Sequence, residues 1–143
     1  MFNRILNGER GFTLIELVII IVVLGILAAV AIPKYQDIAD EARESSCKAS
    51  LGGLRSGVAI WYAKEAVKSS TAQWPPYDSL VASGVVFEHS LPANPFQPNA
   101  GDSIVSGYNQ AKGTVIGTRG GWVYNDSTGQ VWANTNTLGE NAW

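Results

Sequence analysis

Glu16 stands at the edge of an apolar run, and from Leu17 to Ile32 every residue is apolar or glycine. A carboxylate at the border of such a segment is costly unless a partner or a polar layer receives it. In the simplest reading it lies at headgroup level and snorkels to water. The other chemistry-bearing residues are sparse. His89 lies beside Glu88 with no nucleophile pattern near it, and triad, phosphate-loop and HExxH motifs are absent. No enzyme activity is expected. Calcium takes several oxygens at about 2.3–2.6 Å. Asp102, Asp126 and Glu140, with Asn134, Asn136 and Asn141, can supply some of these, but no EF-hand spacing exists. They are weak calcium candidates, and no other cofactor is expected. A lone histidine and a lone cysteine, Cys47, argue against a structural zinc and exclude a disulfide within this sequence.

The elements that position these residues follow from composition. The 143 residues are 46% hydrophobic with a formal charge of −2 and no basic stripe, so nucleic-acid binding by the single chain is not expected. Much of the apolar content lies in one block, Phe12 to Ile32. At about 1.5 Å per residue a helix of that length spans roughly 30 Å, the hydrocarbon thickness of a bilayer. Gly25, Ala28, Ala29 and Ala31 permit close approach of another helix. Pro33 removes one backbone hydrogen bond and is expected to bend the axis. Arg4 and Arg10 ahead of the block place the N-terminus in the cytoplasm.

Charges return at Lys34, and Cys47, Leu51, Leu54, Val58, Trp61 and Tyr62 recur at helical spacing. One helix from Phe12 to about Lys68 is predicted, its second half partly covered by a head. Asp40 with Arg43, and Glu44 with Lys48, fall on its solvated side; Gly52, Gly53 and Gly57 mark close packing or a kink. The head, residues 69–143, begins with a Pro75–Pro76 loop, then a short helix Tyr77–Ser83 ended by Gly84, then the turn-rich LPANPFQPN. Strands are predicted at Gly113–Thr118, Gly121–Asn125 and Gln130–Asn134, the last two forming a hairpin of open register. The five tryptophans are mainly core material, with a sugar- or surface-binding platform as the lesser alternative.

The segment GFTLIE, after a short basic leader and before the long apolar run, resembles the class III signal of type IV pilins and type II secretion pseudopilins. The resemblance covers roughly residues 8–35. It implies cleavage by a prepilin peptidase between Gly11 and Phe12, and N-methylation of Phe12. The new amine of Phe12 would then stand one helical turn before Glu16, within the chain or on a neighbouring subunit of a filament. The implied layout is a cleaved leader (1–11), a transmembrane and filament-core helix (12–33), the amphipathic half of that helix (34–68) and a globular head (69–143). The fold class is α+β: a long N-terminal helix, its apolar half protruding, packed on a small antiparallel sheet in the manner of a pilin ladle.

The expectation for function is a structural subunit of a type IV pilus-like filament, polymerised through its N-terminal helix, with adhesion as a property of the fibre. The alternatives are a pseudopilin of a periplasmic secretion pseudopilus and, from another class, a non-polymerising membrane-anchored binding module. Expected partners are copies of the chain, the prepilin peptidase, an inner-membrane assembly platform and membrane lipid. The expected location is the bacterial inner membrane, head periplasmic, and then an extracellular filament or a periplasmic pseudopilus.

Overall fold

The computed structural model describes residues 11–143. The expected leader, with Arg4 and Arg10, lies outside them apart from Gly11. The chain divides into two compact units, the first ending at Ala39 and the second spanning Asp40–Trp143. Helix α1 runs Leu14–Ser69 with Pro33 inside it. The short α2 covers Tyr77–Val81. Three strands follow, β1 at Ile104–Ser106, β2 at Trp122–Asn125 and β3 at Gln130–Ala133, and a 3-10 turn closes the chain at Glu140–Ala142.

The second unit is a helix covered by a sheet. The strand order is β1-β2-β3, with β2 and β3 antiparallel. Their register sets Val123 opposite Trp132 and Tyr124 opposite Val131. Because side chains alternate along a strand, Trp122, Tyr124, Val131 and Ala133 share one face. That face meets Cys47, Leu51, Leu54 and Val58 of α1 and Leu80 of α2 in one core. The three- and four-residue steps on α1 exist for this contact. Val123 and Trp132 occupy the other face, fully buried, where Gly107 passes so closely that a Cβ on it would lie 2.6 Å from Val123 Cγ1.

Two expectations for the sheet require correction. The sheet is mixed rather than antiparallel, because β1 pairs with β2 in parallel, Ile104 against Trp122. A parallel pair needs a long connection, and residues 107–121 supply it by crossing the outer face. The run Gly113–Thr118 lies in that connection and is no strand. Its backbone groups are captured by side chains. Asn134 Oδ1 accepts the Ile116 N–H at 2.6 Å, and Asn134 Nδ2 donates to the Ile116 carbonyl at 2.9 Å. Trp132 Nε1 donates to the Thr114 carbonyl at 2.9 Å. Gly113 and Gly117 adopt φ of 89° and 64°, which breaks an extended run.

Asn94 does the same for the Pro-rich loop. Its Nδ2 donates to the Gly121 carbonyl at 2.8 Å and to Thr135 Oγ1 at 3.1 Å, while its Oδ1 accepts the Phe96 N–H at 2.9 Å. Of Gly52, Gly53 and Gly57, only Gly57 marks close packing: a Cβ there would lie 2.2 Å from Phe87 Cε1, whereas Gly52 and Gly53 face open space.

Candidate functional site

The N-terminal segment has an exposed apolar surface and a polar tip. Every large hydrophobic residue from Phe12 to Ile32 is exposed, from 40% at Val18 to 80% at Leu14. Fully burying one such side chain is worth about 1.5–3 kcal/mol. Summed over the segment this is tens of kcal/mol, more than the roughly 5–15 kcal/mol net stability of a domain. A surface of that size is covered in its working state by lipid or by protein. One helix among the described residues, α1, is long and apolar enough to cross a membrane.

At the tip, Thr13 precedes α1 as its cap. Thr13 Oγ1 accepts the Glu16 N–H at 3.3 Å, and Glu16 Oε2 accepts the Thr13 N–H at 2.8 Å. The Thr13 hydroxyl also donates to Glu16 Oε2, at 2.7 Å. This is a capping box, in which cap and third residue satisfy each other's orphan donors. Thr13 is the residue the charge argument misses, although T-x-x-E ahead of an apolar run is its sequence signal. Glu16 Oε1 accepts no hydrogen bond among the described residues. Gly11 is exposed, and a Cβ on it would meet nothing within 4 Å; the same holds for Gly25. Nothing among the described residues requires glycine at either place. Pro33, inside α1, leaves the Ala29 carbonyl without its helical donor.

The head holds the remaining candidates apart. Glu140 is fully buried, and its carboxylate accepts the Thr137 N–H at 2.8 Å and the Leu138 N–H at 2.6 Å. Burial raises its pKa, but these N–H groups, its own backbone N–H and Thr135 outweigh that and hold the carboxyl below the ordinary 4.5. Its oxygens thus close the C-terminal loop. Asp102 is exposed, and Asp126 follows the end of β2. Asp126 Oδ1 is buried with no hydrogen-bond donor among the described residues. No three of the His, Cys, Asp and Glu side chains among the described residues gather where they can hold a metal ion. Asn134 is fully committed to residues 116–120.

Cys47 is buried in the core, and burial, then the nearby Glu140 charge, pushes its thiol up to about 11, so it is an inert hydrophobe. His89 and Glu88 line a shallow cleft of about 370 Å³ with Leu54, Phe87 and Pro92. No hydrogen bond links His89 to Ser50 or Ser90, the hydroxyls of that cleft, so no activated nucleophile is assembled there. Trp122 and Trp132 are fully buried, Trp74 stacks on Tyr62 with centroids 4.1 Å apart, and Trp143 meets Phe96 edge-on at 6.4 Å. Trp74, Trp122, Trp132 and Trp143 are packing, as their type favours, and Trp61 is half-buried.

The family model for the prokaryotic N-terminal methylation motif matches residues 6–32. The match includes Gly11, Phe12 and Glu16 and bears out the class III signal. The chain is 39% identical over 75 residues to a fimbrial protein of Pseudomonas aeruginosa, covering 51% of this chain and 49% of that protein. It is 42% identical over 83 residues to the type IV major pilin protein PilE of Neisseria gonorrhoeae, 58% of this chain and 45% of that one. It is 47% identical over 51 residues to the type IV narrow pilus major component PilA5 of Thermus thermophilus, 36% and 44% of the two chains. The chain thus spans about half or less of the length of these curated relatives. No solved structure matches it.

Proposed function

We propose that this chain, which carries the N-terminal methylation segment of type IV pilins, is a structural subunit of a pilus-like filament polymerised through α1. The observation that carries the reading is the exposed apolar surface from Phe12 to Ile32, tipped by Glu16. Lipid covers it before assembly, and the same segments of other copies cover it afterwards. Both surroundings are dry, so one sequence serves both. Gly11 fits a demand made by another protein: with no described neighbour within 4 Å of a Cβ, it leaves the backbone open to a peptidase cleft. Cleavage after Gly11 makes Phe12 an amine, and Glu16 Oε1 is the acceptor left for a cation, in the same chain or in its neighbour. Gly25 likewise leaves room for a second helix.

A structural role agrees with the fimbrial and pilus names of the relatives. The same names favour a pilus over a secretion pseudopilus. A plain membrane-anchored binding module would need neither the Gly11–Phe12 junction nor Glu16. Mass spectrometry of the mature chain tests the processing step. A start at N-methylated Phe12, with filaments visible by electron microscopy and lost on deleting the chain, is the expected result. An intact residue 1 on the assembled protein overturns it.

A further inference from the structure

Where the apolar segment of α1 ends, the helix carries a cleft of about 290 Å³ lined by Ala31, Lys34, Tyr35 and Ile38. Their spacing puts these four residues on one face of the helix. Three of them are apolar or aromatic, and Tyr35 and Ile38 are exposed, at 73% and 54%. The apolar face therefore continues about one turn past the residue at which charge returns. Lys34 is the one charged side chain lining the cleft.

Position singles out Lys34. As a helix, Phe12 to Ile32 spans roughly 30 Å, the hydrocarbon thickness of a bilayer. Lys34 stands about 3 Å beyond that segment along the axis. Lys48 and Lys68 are matched with Glu44 and Glu65. Lys64 has no ion pair among the described residues either, but it lies about 45 Å further along α1 than Lys34. Asp37, the first acid after Lys34, makes no ion pair with it and lies about 100° round the helix from Ile38. A cation above an apolar floor, at the depth where acyl chains give way to phosphate, matches both chemistries of one lipid. The lysine stem lies along apolar atoms while its ammonium meets an anion, and tyrosine favours the same layer.

We propose that this cleft seats one phospholipid at the end of the apolar segment far from Glu16, with the Lys34 ammonium on its phosphate and the Tyr35 ring at the glycerol level. The contact rests on the membrane-stored state in the reading above and names the lipid group that the stored subunit holds.

Solid-state NMR tests it, by measuring how close lipid phosphorus comes to the lysine Nζ atoms of the wild-type chain in phosphatidylcholine vesicles. One lysine signal is expected to be dephased by phosphorus. Lys34→Gln is expected to abolish that dephasing and Lys64→Gln to leave it unchanged. A chain that floats with the vesicles yet shows no dephasing, or keeps it in Lys34→Gln, overturns the contact while leaving the membrane-stored state standing. Lys34 Nζ close to the carboxyl of Asp37 or of a second copy, and not to phosphorus, reassigns the lysine and overturns the proposal. Equal dephasing by inorganic phosphate in micelles of a phosphorus-free detergent reassigns the cleft to a free anion and also overturns it. A chain that does not float with the vesicles removes the membrane-stored state and the contact together.

Discussion

Glu16 Oε2 accepts both the backbone N–H and the hydroxyl of Thr13, at 2.8 and 2.7 Å. One oxygen thus starts the helix and the other stays open. On the proposed reading, a single carboxylate links local structure to assembly: the cap holds its position and leaves Oε1 for a cation.

Removing the cap is expected to loosen this arrangement without removing the acid. In Thr13→Ala, amide hydrogen exchange at Glu16, measured in detergent micelles, is expected to accelerate several-fold. Thr13→Ser, which keeps the hydroxyl, is expected to exchange like the wild type. Glu16→Ala is expected to insert into membranes normally and to lose filament yield. Equal exchange in Thr13→Ala and wild type would show that the box has no role in solution.

Glu140 gives the head a pH dependence of known sign. Its folded pKa lies below the ordinary carboxyl value of 4.5. The stability it contributes is therefore fully present above that value and is lost as pH falls through the lower folded pKa. Glu140→Gln places an amide against backbone N–H donors and is expected to cost about 1–3 kcal/mol in urea unfolding at pH 7, followed by tryptophan fluorescence. The difference between variant and wild type should shrink below pH 4.5. A difference independent of pH would mean that the charge is immaterial.

The glycines of α1 separate by what a methyl group would meet. Gly57→Ala would set a Cβ 2.2 Å from the Phe87 ring and is expected to destabilise the head by about 1–3 kcal/mol, with Phe87→Leu restoring part of the loss. Gly53→Ala meets open space and is expected to stabilise the helix by up to about 1 kcal/mol. Thermal unfolding of the two variants in parallel decides the matter, and equal shifts would contradict it.

Asn134 holds the connection that covers the outer sheet face. Asn134→Ala removes its bonds to Ile116, Arg119 and Gly120. The expected outcome is rapid tryptic cleavage after Arg119 in a protein whose strands still form. Resistance equal to wild type would show that Trp132 Nε1 suffices to hold the loop.

How much of this was legible depended on how local the cause is. The long helix could be read because the apolar block and the stripe from Cys47 to Val58 repeat at its own period. The β2–β3 hairpin could be read from alternation around a glycine turn, and its register then sorts Val123 from Tyr124. Parallel pairing of Ile104–Ser106 could not, because periodicity does not encode strand direction and only three residues carry it. Gly113–Thr118 has the composition of a strand, yet its donors and acceptors are taken by a side chain eighteen residues away. Glu140 looks like a surface acid until the turn it closes brings two N–H groups onto it. At the tip, Thr13 was legible in T-x-x-E, a signal carried by a hydroxyl rather than by a charge.

The most direct measurement is electron cryo-microscopy of filaments assembled from the wild-type chain. The account expects residues 12–32 of each copy to be buried among the same residues of others, with the Glu16 carboxylate within hydrogen-bonding distance of a Phe12 amine. Filaments whose apolar segments stand apart in solvent, or whose Glu16 faces no cation, would contradict it.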